Sequence, residues 1–390
     1  MRIVYIIGTL ASKSGANRII TEKANYFATK YNHDVTIITC FQPQKQANIF
    51  TLSSEIKQIN LSIPYELQYH YKYPMRLWVK WKCYKRLCIE LNNVVNNVDP
   101  DILIGVAQFK ADIVSKIKCK AKKVIECHEA RNYTLSGLGM NRSLMSRVFL
   151  KLYKYKYFRT IEHYADVICT LTKGDKELWK KAKRIEVIPN FSTMQVSRYS
   201  DCKTKRIIAV GRFVWEKGYS RLFEIWRIVS SRHPDWELDI FGEGDMEYTL
   251  KMYIKKTGLI NLTIHKYTSN ISLEYAKSSI FLLTSYYEGF SLVLLEAQRH
   301  GVPCVAFDCP FGPRSIINDS KNGFLVEDGD IRLFADRVCY LIENEKLRKQ
   351  FAQVGLEHVK SFDVHIVIKQ WEKLFKSLTE KGTIIKEDRT

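Results

Sequence analysis

Two carboxylates eight residues apart, Glu288 and Glu296, bracket a loop and a helix start in the run SYYEGFSLVLLEAQRHGVPCV, residues 285–305. An apolar strand-like segment, 280–284, leads into the loop. A helix is predicted to begin near Ser291, and Gly301-Val302-Pro303 stops it before the apolar run 304–307. The free N–H groups of a helix start form an anion site. A carboxylate on either side of such a site suits a ligand with phosphate in the middle and hydroxyls at both ends, the layout of a nucleotide-sugar.

A second set of groups lies in GRFVWEKG, residues 211–218, after another strand-like segment. Arg212 offers a planar fork for phosphate oxygens and Lys217 a mobile point charge. Both arise from one strand-to-helix loop, as the gripping of a diphosphate requires. The plainer reading is a solvated loop in which Lys217 pairs with Glu216. Gly242-Glu243-Gly244 also follows a strand; it is too short for a dinucleotide fingerprint and reads alone as a tight turn. Its weight comes from recurring at the same end of the same inferred sheet.

Alternating elements must hold these loops. In the first half, strands are expected at 3–8, 34–40, 56–61, 101–106, 122–127, 165–171 and 186–189, with helices at 16–30, 71–98 and 143–164. After a polar stretch the pattern restarts, with strands at 206–210, 238–241, 262–267, 280–284, 304–307 and 323–326 and helices between and after them. Strands separated by helices imply parallel βαβ units with right-handed crossovers. The expected fold class is α/β: two Rossmann-like, doubly wound parallel-sheet domains facing a cleft. The divisions are 1–190, a linker at 191–204, 205–362, and a last helix at 363–380. In such sheets ligands bind outside the carboxyl ends of the strands, where all three glycine-containing loops fall.

The whole chain sets limits on function. Its 390 residues suit two domains, and 46% hydrophobic residues suffice for two cores. No run approaches the roughly 20 apolar residues of a membrane span. The start MRIVYIIGTLA faintly resembles a signal peptide and reads better as a first buried strand. Ten cysteines without a CxxC pair indicate reduced, buried thiols in a cytoplasmic protein. The net charge of +20 divides into +17 for residues 1–195 and +3 for 196–390. A cationic first domain seeks an anionic surface: a leaflet, a phosphorylated substrate or nucleic acid.

GRFVWEKG, GEGDMEYTL and EGFSLVLLE, in this order and spacing, resemble the retaining GT-B glycosyltransferases of family 4, and Glu288 and Glu296 reproduce that family's E-x7-E motif. The resemblance covers residues 205–345 well and the first half only in layout and a few short pieces. It implies that Arg212 and Lys217 hold the donor diphosphate, with Gly211, Gly242 and Gly244 beside them. It implies that Glu296 binds the ribose and Glu288 the donor sugar, while the N–H groups of Gly289, Phe290, Ser291 and Leu292 cradle the distal phosphate. His128, in ECHEARN, would face the sugar from the first domain; Asn190, closing VIPN, and Gly15 would also line the donor site. The family usually has a glycine pair where this chain has Gly15-Ala16. CPFGPRSII, residues 309–317, is similar to the CPxGPxEII stretch of members that transfer hexoses or N-acetylhexosamines from UDP onto bacterial surface glycans, with Ser315 replacing the usual Glu. The last helix, with Trp371 and Phe375, would cross back onto the first domain.

The resemblance thus implies a metal-independent, retaining hexosyltransferase, using a UDP-sugar as donor substrate and no cofactor. Attack would come from the face the diphosphate leaves. A nucleophilic Glu288 is the disfavoured alternative. Asp328-Gly329-Asp330 spells a DxD, yet its place between a strand and a helix makes a turn with an Asp330 cap the better reading. The acceptor would be a lipid-linked oligosaccharide or a surface polysaccharide such as capsule, O-antigen or lipopolysaccharide. Two basic aromatic helices, 76–91 and 147–164, would rest on the anionic inner face of the cytoplasmic membrane. No nucleic-acid motif accompanies the charge. The rival readings are a sugar-nucleotide 2-epimerase on the same fold and a non-catalytic membrane- or nucleic-acid-binding protein.

Overall fold

The computed structural model describes residues 1–134 and 144–380 of the chain. It divides into two units, one of residues 1–171, 175–188 and those from Val367 onward, the other of 172–174 and 189–366.

The first unit is a seven-stranded sheet. Its strands are β1 (Arg2–Ile7), β2 (Asp34–Thr39), β3 (Lys57–Asn60), β4 (Ile102–Val106), β5 (Lys122–Glu126), β6 (Val167–Thr170) and β7 (Ile185–Val187). They lie in the order β3-β2-β1-β4-β5-β6-β7, and every pairing is parallel. Parallel strands are covered on both faces, so they read as unbroken apolar runs rather than alternating ones. In β1 every residue after Arg2 is buried, and in β4 all of ILIGV is.

The second unit has six parallel strands: β8 (Arg206–Val210), β9 (Glu237–Phe241), β10 (Leu262–His265), β11 (Ile280–Leu283), β12 (Cys304–Phe307) and β13 (Gly323–Val326), ordered β10-β9-β8-β11-β12-β13. Its core packs Ile207, Leu238, Ile280 and Val305 of the sheet against the helix Tyr219–Arg232. That helix presents Leu222, Phe223, Trp226 and Val229 at helical spacing. Both units are therefore doubly wound, Rossmann-like layers, as the alternating sequence pattern requires.

Local chemistry sets the helix ends. The helix expected from residue 16 starts at Gly15, because the Ser14 side chain caps it by accepting from the Asn17 N–H. The helix expected from 71 starts at Met75, immediately after Pro74. Proline has no N–H to give and is at home at a helix start. The preceding Tyr65–His70 forms a separate 3₁₀ turn. The helix expected from 143 is described from Leu144 to Tyr164, and Ser143 lies outside the described residues. Asn190, placed with the first domain by the sequence pattern, belongs to the second unit.

The last helix, Val364–Thr379, packs on the first unit. Phe375 meets Phe27 with ring centroids 5.2 Å apart, Trp371 lies 3.9 Å from the Lys23 ammonium, and Glu372 contacts His33 Nε2 at 2.9 Å.

Candidate active site

β8 and β11 are neighbours in the second sheet, with Ile207 opposite Ile280 and Ile208 opposite Phe281. They flank the point where strand order reverses, and there the two outgoing loops diverge to leave a binding crevice. The loop after β8 carries Arg212 and Lys217; the loop after β11 carries Glu288. This adjacency brings together two residues that are 71 positions apart: Lys217 Nζ donates to Glu288 Oε1 at 2.6 Å. Ser285 Oγ donates to the same oxygen at 2.7 Å. Glu288 is 8% exposed and the Lys217 side chain 20%. Lys217 thus reaches across to Glu288, and no pair with Glu216 forms. The Glu216 carbonyl instead accepts from the Tyr286 N–H at 2.9 Å.

The backbone around the pair leaves no room for larger residues. Gly218 has φ +64°, and a Cβ there would sit 2.1 Å from the Thr284 carbonyl oxygen. Thr284 Oγ1 in turn donates to the Lys217 carbonyl at 3.1 Å. Behind Glu288, a Cβ on Gly312 would lie 2.6 Å from the Glu288 Cβ. The loop carrying Lys217 is therefore stitched to the end of β11, and the Glu288 backbone is backed by residues 310–312.

Arg212 is exposed at the start of its loop. Beneath it the Tyr219 hydroxyl donates to the Gly211 carbonyl at 2.8 Å. Burial pushes the Tyr219 phenol well up, Glu288 pushes it further, and Arg212 opposes them, so both charges act on one buried ring.

The helix after the second loop runs Leu292–Arg299, with Ser291 as its N-cap residue at φ +71°. The Ser291 side chain makes no capping bond. Its Oγ is buried without a hydrogen-bond partner among the described residues, and the residue is 4% exposed. A buried hydroxyl without a partner thus stands beside the open N–H groups of a helix start. Phe290 is buried against Phe362, at a centroid separation of 5.5 Å, and Gly289 is partly exposed. One turn into the helix Glu296 is buried, and Tyr275 donates to its Oε2 at 3.4 Å. Glu288 and Glu296 thus stand before and after the helix start.

Gly242 and Gly244 have a packing reason for their size. A Cβ on Gly242 would sit 2.0 Å from the Gly211 oxygen, and one on Gly244 would sit 2.7 Å from the Phe213 oxygen. Phe213 N–H donates to the Glu243 carbonyl at 2.8 Å, and Met246 N–H to the Phe213 carbonyl at 3.0 Å. The glycine loop after β9 is the cradle of the loop after β8.

Asp330 caps the helix Ile331–Glu343 by accepting from Leu333 N–H at 2.9 Å, and Asp328 holds Arg221 at 2.6 Å. Among the described residues no group of three or more His, Cys, Asp or Glu is arranged to hold a metal ion. In the 309–317 loop Arg314 pairs with Asp308, and Ser315 Oγ donates to the Phe311 carbonyl at 3.3 Å. Cys309 is buried; that burial, with Glu288 nearby, pushes its thiol up.

In the first unit Gly15 is exposed as the first helical residue. The loop before it is organised by Asn17, whose Nδ2 donates to the Thr9 carbonyl at 2.9 Å and the Ser12 carbonyl at 3.2 Å. His128 follows β5, with its ring buried and Nε2 3.2 Å from Glu126 Oε2. Glu126 Oε1 accepts from Lys23 Nζ at 2.5 Å, and both side chains are buried. Burial pulls the Lys23 ammonium down. For Glu126 burial pushes upward, but Lys23 and His128 prevail and hold the carboxyl below its usual range. Sequence reasoning missed this pair. The signal was present: Lys23 interrupts the buried helix face of Ile19, Ile20, Ala24 and Phe27, and Glu126 ends an apolar strand. A charge inside an otherwise buried pattern requires a partner. Asn190, in the second unit, is buried at 8% exposure.

Residues 194–358 match the profile of the family Glycosyl transferases group 1. The amylovoran biosynthesis glycosyltransferase AmsD of Erwinia amylovora is 33% identical over 300 residues, covering 73% of this chain and 80% of AmsD. The chain belongs to the glycosyl transferases group 1. A second member-like relative is an α-1,4-N-acetyl-D-galactosaminyltransferase of Campylobacter jejuni, whose name specifies a PP-undecaprenol-linked glycan. It is 22% identical over 383 residues, 96% of this chain and 98% of the relative. Among solved structures, a Staphylococcus aureus TarM variant in complex with fondaparinux, α-GlcNAc-glycerol and UDP superposes with a TM-score of 0.74 at 15% identity, over 96% of this chain and 99% of that one. At that identity the likeness shows the shared fold. For this group 1 glycosyltransferase, Lys217 and Glu288 lie within the matched residues and His128 and Lys23 outside them.

Proposed function

We propose that this glycosyltransferase moves a hexose or N-acetylhexosamine from a UDP-sugar to a lipid-linked oligosaccharide or surface polysaccharide, with retention at the anomeric carbon and without a metal ion. The observation that carries the reading is the Lys217–Glu288 contact at the reversal point of the second sheet, beside a helix start that holds an unpartnered buried hydroxyl. UDP in the TarM complex and the PP-undecaprenol glycan in the Campylobacter relative's name support the choice of donor and acceptor class.

In this reading the diphosphate displaces Glu288 as the partner of Lys217. Arg212, Lys217 and the N–H groups of Gly289, Phe290, Ser291 and Leu292 then stabilise the charge growing on the leaving UDP. Freed from Lys217 but still held by Ser285, Glu288 accepts from hydroxyls of the donor sugar. Glu296 accepts from the ribose. Gly211, Gly242 and Gly244 let the loops approach the nucleotide. His128 is the proposed hydrogen-bond donor to the sugar, and Gly15 a proposed donor-site residue. Asn190 lines the donor site. The acceptor oxygen bonds to the anomeric carbon as the carbon–phosphate-oxygen bond breaks on the same face, and the acceptor proton passes to the departing phosphate oxygen.

With arginine, lysine and helix N–H groups on the phosphates, the leaving group is neutralised without a divalent ion, and no cofactor takes part. The site of action would be the inner face of the cytoplasmic membrane, where a lipid-linked acceptor is presented. Among the described residues no helix is long and apolar enough to cross a membrane. The test is UDP release from UDP-N-acetylglucosamine and UDP-glucose with bacterial lipid-extract acceptors in excess chelator, followed by NMR of the product. The reading requires an α-linked product from the α-linked donor. A β-linked product or a strict Mn²⁺ requirement overturns it.

A further inference from the structure

More than half of the large hydrophobic side chains that are exposed among the described residues fall in just two segments, 67–89 and 148–164, both in the first unit. The helix Met75–Val98 is buried along one narrow stripe, Cys83, Leu87, Leu91 and Val95. Ahead of Cys83 its first two turns are exposed on nearly every side. Leu77 is 49% exposed, Trp78 54% and Trp81 57%. On the helix Leu144–Tyr164, Phe149 is 66% exposed, Leu152 60% and Tyr155 64%. Exposed apolar residues scattered singly need no explanation, but a contiguous set marks an interaction surface.

The two helices belong to one surface. Both pack on the short helix Ala111–Val114: Ile113 and Val114 share a core with Cys83, Leu87 and Leu91 of the first, and the Ala111 N–H donates to the Tyr157 hydroxyl of the second at 3.1 Å. Burial pushes the Tyr84 and Tyr153 phenols up to about 12, and Tyr153 adds to the push on Tyr84. Asp112 acts on both rings.

The cations of this face select its occupant. Residues 65–91 and 147–164 hold eleven Lys and Arg against three carboxylates, Glu66, Glu90 and Glu162. Two of the three are taken: Glu90 by Arg86 at 2.5 Å, and Glu162 by Arg131 at 2.5 Å and Arg159 at 3.5 Å. Lys82 lies over the Trp78 ring at 5.2 Å, Lys85 over Trp81 at 5.4 Å, and Arg76 over Tyr69 at 4.9 Å. A second copy of this face would oppose like charges, so it does not fit itself. Tryptophan and tyrosine at headgroup depth, with lysines reaching lipid phosphates, is the composition of an interfacial helix.

We propose that the 3₁₀ turn Tyr65–His70, the first turns of Met75–Val98 and the exposed side of Leu144–Tyr164 form one docking face for an anionic phospholipid surface, entered by Leu77, Trp78, Trp81, Phe149 and Leu152. This rests on the reading of the acceptor as membrane-linked, and names the side chains that hold the enzyme at that surface.

The experiment is co-sedimentation of the full chain with phosphatidylcholine vesicles, plain or containing about a third phosphatidylglycerol. The wild type is expected on the anionic vesicles only, with release by high salt. Trp78→Ser/Trp81→Ser and Phe149→Ser/Leu152→Ser should each weaken binding about tenfold or more. Lys255→Glu/Lys256→Glu, on the second unit, should leave it unchanged. The thermal shift produced by UDP is read in parallel and should be the same in every variant, so failure of the donor reading is seen separately from failure of the docking face. The proposal is overturned if the wild type stays in solution, if both tryptophan and phenylalanine variants bind as it does, or if size-exclusion chromatography shows a dimer that Trp78→Ser/Trp81→Ser takes apart.

Discussion

Lys217 Nζ and Glu288 Oε1 are 2.6 Å apart, although the residues lie on loops that leave two different strands. A cation and a carboxylate so placed neutralise each other. Removing either should cost more than a surface ion pair, because the group left behind is half-buried or buried without its partner. Lys217→Ala and Glu288→Ala should each lower kcat about a hundredfold or more while the far-UV circular dichroism stays native. The double variant should lose close to the sum of the two single losses, since with donor bound Lys217 holds the diphosphate and Glu288 the sugar. Steady-state kinetics on the four proteins checks this; a double variant no worse than either single one would show that the residues act only as a pair.

Glu296 is buried one turn beyond the loop, and the proposed reading gives it the ribose. Its substitution by Gln should raise KM for the UDP-sugar roughly tenfold with kcat little changed, the loss of a charge-assisted hydrogen bond. The wild type should also bind 2′-deoxy-UDP more weakly than UDP, and Glu296→Ala should lose that preference. Titration calorimetry with the two nucleotides decides it.

The glycines after β9 make a sharper statement about packing. Gly242→Ala would put a methyl 2.0 Å from the Gly211 oxygen, backbone against side chain with nowhere to move. It should destabilise by about 3 kcal/mol or more, among the largest single-substitution effects. Gly329, with φ +95° and open space around its Cβ position, should accept alanine at about 1–2 kcal/mol, the backbone term alone. Urea midpoints of the two variants measure the difference.

The Lys23–Glu126 pair links stability to pH. Glu126 is held below its usual range in the folded chain, so its contribution is present above the unfolded carboxylate value and is lost as pH falls through the folded one. Lys23 is lowered too, so the folded state releases its proton first and stability rises with pH just below the ordinary lysine value. Lys23→Met leaves a buried carboxylate without its counter-charge. It should cost about 3–5 kcal/mol near neutrality and move acid unfolding to higher pH. Acid titrations of wild type and variant, followed by circular dichroism, test this.

The sequence pattern carried the two sheets, the switch to a second doubly wound unit and the motif-bearing loops, because buried parallel strands and glycine-bearing turns leave strong local marks. Asp330 as a cap was legible for the same reason. The Lys217–Glu288 contact was not: Glu216 is the nearer carboxylate in sequence, and only the pairing of β8 with β11 makes Glu288 the partner. The donor-loop reading of Gly242 and Gly244 lacked the packing that explains their size. Lys23 and Glu126 went unnoticed because their pairing joins a helix to a strand 103 residues away. The placement of Arg212 on an exposed loop start was legible; its influence on buried Tyr219 was not.

The central claim is that a UDP-sugar binds where Lys217 and Glu288 meet. It is tested most directly by thermal shift of the full chain with UDP-N-acetylglucosamine, UDP-glucose, GDP-mannose and ADP-glucose, since a ligand that binds only the folded state raises its melting temperature. The account predicts a rise with at least one UDP-sugar, none with the GDP- and ADP-sugars, and loss of the rise in Lys217→Ala. No rise with either UDP-sugar, or a rise undiminished in Lys217→Ala, would contradict it.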